Sequence, residues 1–96
     1  MHAVVNHLDL KEPLPPETFV SADGLAQDLL DAGGLGCHIV RVNDLHLILV
    51  LFFENAEEAD RTARDVGGPW MREHVTPHLV GGTRRSLGEV VVSRAP

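Results

Sequence analysis

Val and Leu dominate residues Ala3 to Leu10, and the turn-forming run Lys11-Glu12-Pro13-Leu14-Pro15-Pro16 closes that stretch. This predicts a strand. The apolar period then changes. Phe19, Ala22, Ala26 and Leu29 recur at near-helical spacing, and Leu25 and Leu30 widen the stripe. Asp23, Gln27, Asp28 and Asp31 occupy other faces of that helix. Pro16 suits a first helical turn, where its missing N–H costs nothing, and Gly33-Gly34 suits the stop. Cys37 to Val42 and Leu45 to Glu54 predict two more strands, joined by the turn residues Asn43-Asp44. Asn55 suits an N-cap, with Glu58 three residues on to return the hydrogen bond. The helix that follows places Ala56, Ala59, Ala63 and Val66 on one stripe, and Glu57 with Arg61 and Asp60 with Arg64 predict ion pairs one turn apart. Gly67-Gly68-Pro69 predicts a break, and a short helical segment from Trp70 to Val75 ends before Thr76-Pro77. Gly81-Gly82-Thr83 predicts a loop, and Ser86 to Ser93 the last strand.

The order β-α-β-β-α-β predicts a ferredoxin-like α+β domain spanning residues 1–96, a four-stranded antiparallel sheet with both helices on one face. The third strand adds a second expectation. Ile48, Val50 and Phe52 alternate with Leu47, Leu49, Leu51 and Phe53, so both of its faces are apolar. Helices can cover only one of them. The other face predicts packing on a second copy of the chain, a homodimer formed sheet to sheet.

Composition narrows the function classes. The 96 residues carry a formal net charge of −6, with Lys11 as the one lysine, which argues against nucleic acid as a partner. The longest apolar run, Leu47 to Phe53, has strand length and is too short to cross a membrane. Met1 to Asn6 lacks the features of a signal peptide, and Cys37 as the lone cysteine fits a cytoplasmic setting.

Few residues point to chemistry. Asn6 shares a strand face with Val4, Leu8 and Leu10, so its amide either meets a ligand or is satisfied by backbone. Trp70 either stacks on a flat ligand or anchors its helix. His74 and His78 stand one turn apart, but Pro77 falls between them and no H-E-x-x-H signature is present. Cys37 and His38 are strand neighbours on opposite faces, which rules out a thiolate–imidazole pair. His7 and Asp9 share a face and could pair as acid and base toward the dimer interior. Gly33-Gly34-Leu35-Gly36 precedes a strand rather than a helix and reads as a turn, not a phosphate loop.

Four features in order carry a family resemblance. They are the opening strand Val4-Val5-Asn6-His7-Leu8, the Gly33-Gly34-Leu35-Gly36 turn, the apolar strand Leu47 to Phe53 running into an acidic, Ala-rich helix start, and Gly68-Pro69 followed by His74. Together they resemble the dimeric α/β-barrel superfamily, and within it the antibiotic-biosynthesis-monooxygenase-like domains. The resemblance implies a monooxygenase-like domain that holds a flat, apolar molecule between sheet and helices, with Asn6, Trp70 and His74 as pocket residues. It leaves two alternatives. One is a non-catalytic dimeric binding or stress-related module. The other is a haem-binding or haem-degrading protein, in which His74 would be the iron ligand. Haem is the one cofactor the resemblance brings in. Asp65 stands where the haem-degrading branch carries a tryptophan, and the chain has no Tyr for a phenol-based mechanism.

Overall fold

Cross-strand register places one apolar file against another in the computed structural model, which describes residues 1–96. The elements are β1 (His2–Asp9), α1 (Pro16–Asp31), β2 (Gly36–Asn43), β3 (His46–Phe53), α2 (Ala56–Thr62), a π-helical turn (Ala63–Gly67), α3 (Gly68–His74), a 3-10 turn (Thr76–His78) and β4 (Arg84–Glu89). The sheet order is β2-β3-β1-β4, with every neighbouring pair antiparallel. The predicted ferredoxin-like topology is therefore present. No helix is long and apolar enough to cross a membrane.

In the β1–β3 ladder Val4 lies opposite Leu51, Asn6 opposite Leu49 and Leu8 opposite Leu47. Because side chains alternate, these residues share the face that the helices cover. The core is thin, at 15 buried residues of 96, and it is divided. One cluster joins Leu8, Leu10, Leu14, Leu47, Leu49, Val75 and Leu79. A smaller one joins Val4, Phe53 and Ala59. The opposite face, outside the helices, carries Val5, Ile48, Val50 and Phe52, all half-buried.

Several local expectations hold and others need correction. Pro16 opens α1, and Gly33 ends it at φ +110°, with the Gly34 N–H bonded to the Leu29 carbonyl at 2.8 Å. The buried stripe of α1 is Thr18, Ala22, Leu25 and Leu29. Leu30 is exposed, because it lies one residue, about 100°, off the centre of that stripe. Asn55 caps α2 through Oδ1, which accepts from the Glu58 N–H at 2.9 Å. Glu58 does not return the bond; its carboxylate pairs with Arg61. Arg61 also donates to the Ala32 carbonyl at 2.7 Å, tying α2 to the end of α1. The predicted Glu57–Arg61 and Asp60–Arg64 pairs are replaced, since Arg64 pairs with Asp65 and Asp60 with Arg85.

The expected break at Gly67-Gly68-Pro69 is not a break. The helix passes through it on a wider π turn, and Pro69, with no N–H to give, follows directly on that turn at the start of α3. The last strand runs Arg84–Glu89 rather than Ser86–Ser93. Its partner β1 begins at His2, and the ladder ends once the Val90 N–H reaches the Met1 carbonyl.

Candidate functional site

The two core clusters do not meet along β1, and Asn6 stands in the interval between Val4 and Leu8. A cavity of about 290 Å³ opens there, a size at the lower end of small-molecule sites. Its floor comes from the sheet, including Leu49, Leu51 and Phe53. Its walls come from Leu25 and Leu29 of α1, from Ala63 and Gly67 of the π turn and from Gly68, the first residue of α3. Gly67 and Gly68 have no side chain and so bring only backbone to the wall. A Cβ on Gly68 would lie 2.7 Å from the Ala63 carbonyl oxygen, so only glycine fits this turn as it stands. A second groove, of about 380 Å³, lies between α1 and β2 and shares Cys37 and Ile39 with the cavity; Arg41 stacks over Phe19 beside it.

Four polar side chains line the cavity: Asn6, Cys37, Thr83 and Arg85. Asn6 Oδ1 is fully buried and has no hydrogen-bond partner in the protein. Burial pushes the Cys37 thiol above its ordinary range, which favours the protonated form. Arg85 faces Asn6 in the β1–β4 register but donates to Asp60 Oδ1 at 3.1 Å. No carboxylate or imidazole lies on the wall, so no side chain there can act as a general base.

The structure does not bring the three sequence candidates together. Asn6 lines the cavity, while Trp70 and His74 lie outside it. Trp70 packs on the larger core cluster and donates its indole N–H to Ser21 Oγ at 3.0 Å, which is the anchoring arrangement. His74 packs on Trp70 with ring centroids 4.9 Å apart and points Nε2 toward Glu73 at 3.8 Å. His78 is separate from it, bonded through Nδ1 to Glu12 at 2.8 Å. No group of three or more His, Cys, Asp or Glu side chains is arranged to hold a metal ion. On the outer face His7 pairs with His46 rather than with Asp9. His46 stands opposite Asp9 in the β1–β3 register, and the two long imidazoles meet on the diagonal across the ladder.

Sequence reasoning missed Arg85 and Thr83. Both fall in or beside a strand placed two residues too late, and their facing position depends on the β1–β4 register.

No known sequence family and no curated protein matches the chain. Solved structures do match. SnoaB, a cofactor-independent oxygenase from Streptomyces nogalater, superposes with a TM-score of 0.76 at 12% identity over 96% of this chain and 94% of that one. A Nitrosomonas europaea protein described as an antibiotic biosynthesis monooxygenase gives 0.74 at 9% identity, over 96% of this chain and all of that one. The heme-degrader MhuD from Mycobacterium tuberculosis, solved with two hemes in its active site, gives 0.65 at 17% identity, over 99% of this chain and all of that one. Order of elements, sheet topology and these superpositions agree: the chain has the fold of the antibiotic-biosynthesis-monooxygenase-like domains.

Proposed function

We propose that this chain binds a flat, largely apolar small molecule in the cavity beside Asn6, as a monooxygenase-like domain. The observation that carries the reading is the unpartnered Asn6 Oδ1 on an otherwise apolar wall. A buried acceptor left without a donor costs about 1–3 kcal/mol, and a ligand hydroxyl or N–H would recover that. The likeness to a cofactor-independent oxygenase supports the same reading. In such chemistry the substrate's own C–H electrons reduce O₂, with one oxygen atom ending in the product and the other in water. The wall has no base to offer. Its contribution would be positioning, one hydrogen bond and exclusion of water.

Chemical-shift titrations with 2-naphthol and naphthalene test this. Tighter binding of 2-naphthol, with the preference lost in Asn6→Leu, supports the reading; equal or absent binding overturns it. Oxygen uptake with a bound hydroxyaromatic then separates an oxygenase from the alternative, a non-catalytic binding module, which the lack of a base on the wall favours.

The residues do not fit haem. His74, the candidate iron ligand, lies outside the cavity against Trp70, and no other histidine lines the wall.

The chain also pairs with a second copy through the outer sheet face. Val5, Ile48, Val50 and Phe52 form its apolar part, and Asp9 and Arg84 give it both signs of charge, which suits a two-fold, self-complementary contact. Sedimentation velocity at neutral pH distinguishes a dimer from a monomer.

A further inference from the structure

A chain of polar contacts crosses three strands on the outer sheet face. Arg84 Nη2 donates to Asp9 Oδ2 at 3.1 Å, Asp9 Oδ1 lies 3.5 Å from His46 Nδ1, and His46 Nε2 lies 3.1 Å from His7 Nδ1. The two imidazoles meet edge to face, with their planes at 83°. The ligand cavity lies on the other side of the sheet and uses none of these groups.

A bond between two ring nitrogens needs one N–H and one lone pair. Asp9 accepts only, so its charge beside Nδ1 favours the His46 tautomer with the proton on that nitrogen. That leaves Nε2 to accept from His7. One added proton, on His7 Nε2 as the bond stands or on His46 Nε2 with the bond reversed, leaves the two rings bonded. A second sets N–H against N–H with nothing to accept.

Charge acts in the same direction. With both imidazoles neutral the cluster is formally neutral, Arg84 balancing Asp9. With both protonated it carries two positive charges per copy, against two more from a partner across a two-fold. Asp9 is the only carboxylate at the outward positions of the four strands, and Arg84 already engages it. The remaining titratable group on this face, His38 of β2, is a further imidazole, set edge-on to Phe52. The helices pack on the opposite face and offer no counter-charge.

We infer that the His7–His46 pair is an acid-sensitive lock on the dimer: a second copy docks while the pair is neutral and is released when both rings are protonated. This rests on the dimer reading above. Charges trapped in a covered face without partners are costly, so protons bind the separated copies in preference to the dimer.

Sedimentation velocity between pH 7.5 and 5.5 at constant ionic strength tests it. The expected result is a dimer at neutral pH whose association constant falls roughly tenfold or more between pH 7.5 and 5.5. Circular dichroism should show that the released copies stay folded. The His7→Gln, His46→Gln double variant should remain dimeric throughout, and His38→Gln should dissociate as the parent does. If the double variant does not fold, the parent series carries the test alone. A dimer indifferent to pH, an equal response in the double variant, or unfolding over the same range overturns the lock and leaves the dimer standing. A monomer at pH 7.5 overturns the dimer, and the lock with it.

Discussion

Asn6 and Arg85 face each other across the β1–β4 ladder, yet they make no bond. The Arg85 guanidinium reaches Asp60 on α2 instead, and Asn6 Oδ1 is left buried and unpaired. The arrangement sets a binding function against stability. Asn6→Leu should raise the unfolding free energy by about 1–2 kcal/mol, because it removes an unsatisfied acceptor and fills apolar space. Urea denaturation of the two proteins without ligand measures this. A destabilised variant would mean that Asn6 is satisfied in solution.

The π turn predicts a contrast between two glycines. Gly68→Ala drives a Cβ to 2.7 Å from the Ala63 carbonyl and should cost about 1–3 kcal/mol, while reshaping the cavity wall. Gly24→Ala, in the middle of α1 with nothing within 4 Å, should gain about 0.5–1 kcal/mol from helix propensity alone. Parallel urea titrations compare them, and equal effects would argue against the tight turn.

Acid should reveal the Glu58–Arg61 pair. The hydrogen bond from Arg61, aided by its charge and opposed by burial, holds the Glu58 carboxyl below its ordinary value of 4.5. The unfolded chain therefore takes up this proton first as pH falls. The pair's contribution is present above about pH 4.5 and is lost as pH drops through the lower folded value. The stability gap between the parent and Arg61→Gln should narrow from about pH 5 toward pH 2, leaving only the part due to the bond to Ala32. Denaturant midpoints across that range test the sign.

Cys37 should be a poor nucleophile. Its thiol is pushed up by burial and lines the cavity. Alkylation by iodoacetamide at about pH 8 should run well below the rate of free cysteine, and 2-naphthol should slow it further. Peptide mass mapping after timed quenching gives both rates. Unaltered alkylation with 2-naphthol present would place that ligand elsewhere.

Order of elements, the two faces of each strand and the Asn55 cap were legible along the chain. Each depends on residues within a turn or a strand of one another. The period of two places Asn6 with Val4 and Leu8, and Ile48, Val50 and Phe52 away from the helices, before any packing is known. Contacts between distant elements were not legible. Arg61 was matched to Glu57 by spacing, but the end of α1 lay close enough to draw it toward Ala32, with Glu58 beside it. Gly67-Gly68-Pro69 reads locally as a stop, and packing made it a π turn. His7 and His46 stand 39 residues apart and meet only through the β1–β3 register. The cavity is an interval between two core clusters, and its volume depends on how helices settle on the sheet. Local pattern determines which face a residue takes; only tertiary packing decides what that face meets, because register and helix placement minimise exposed apolar area over the whole chain at once.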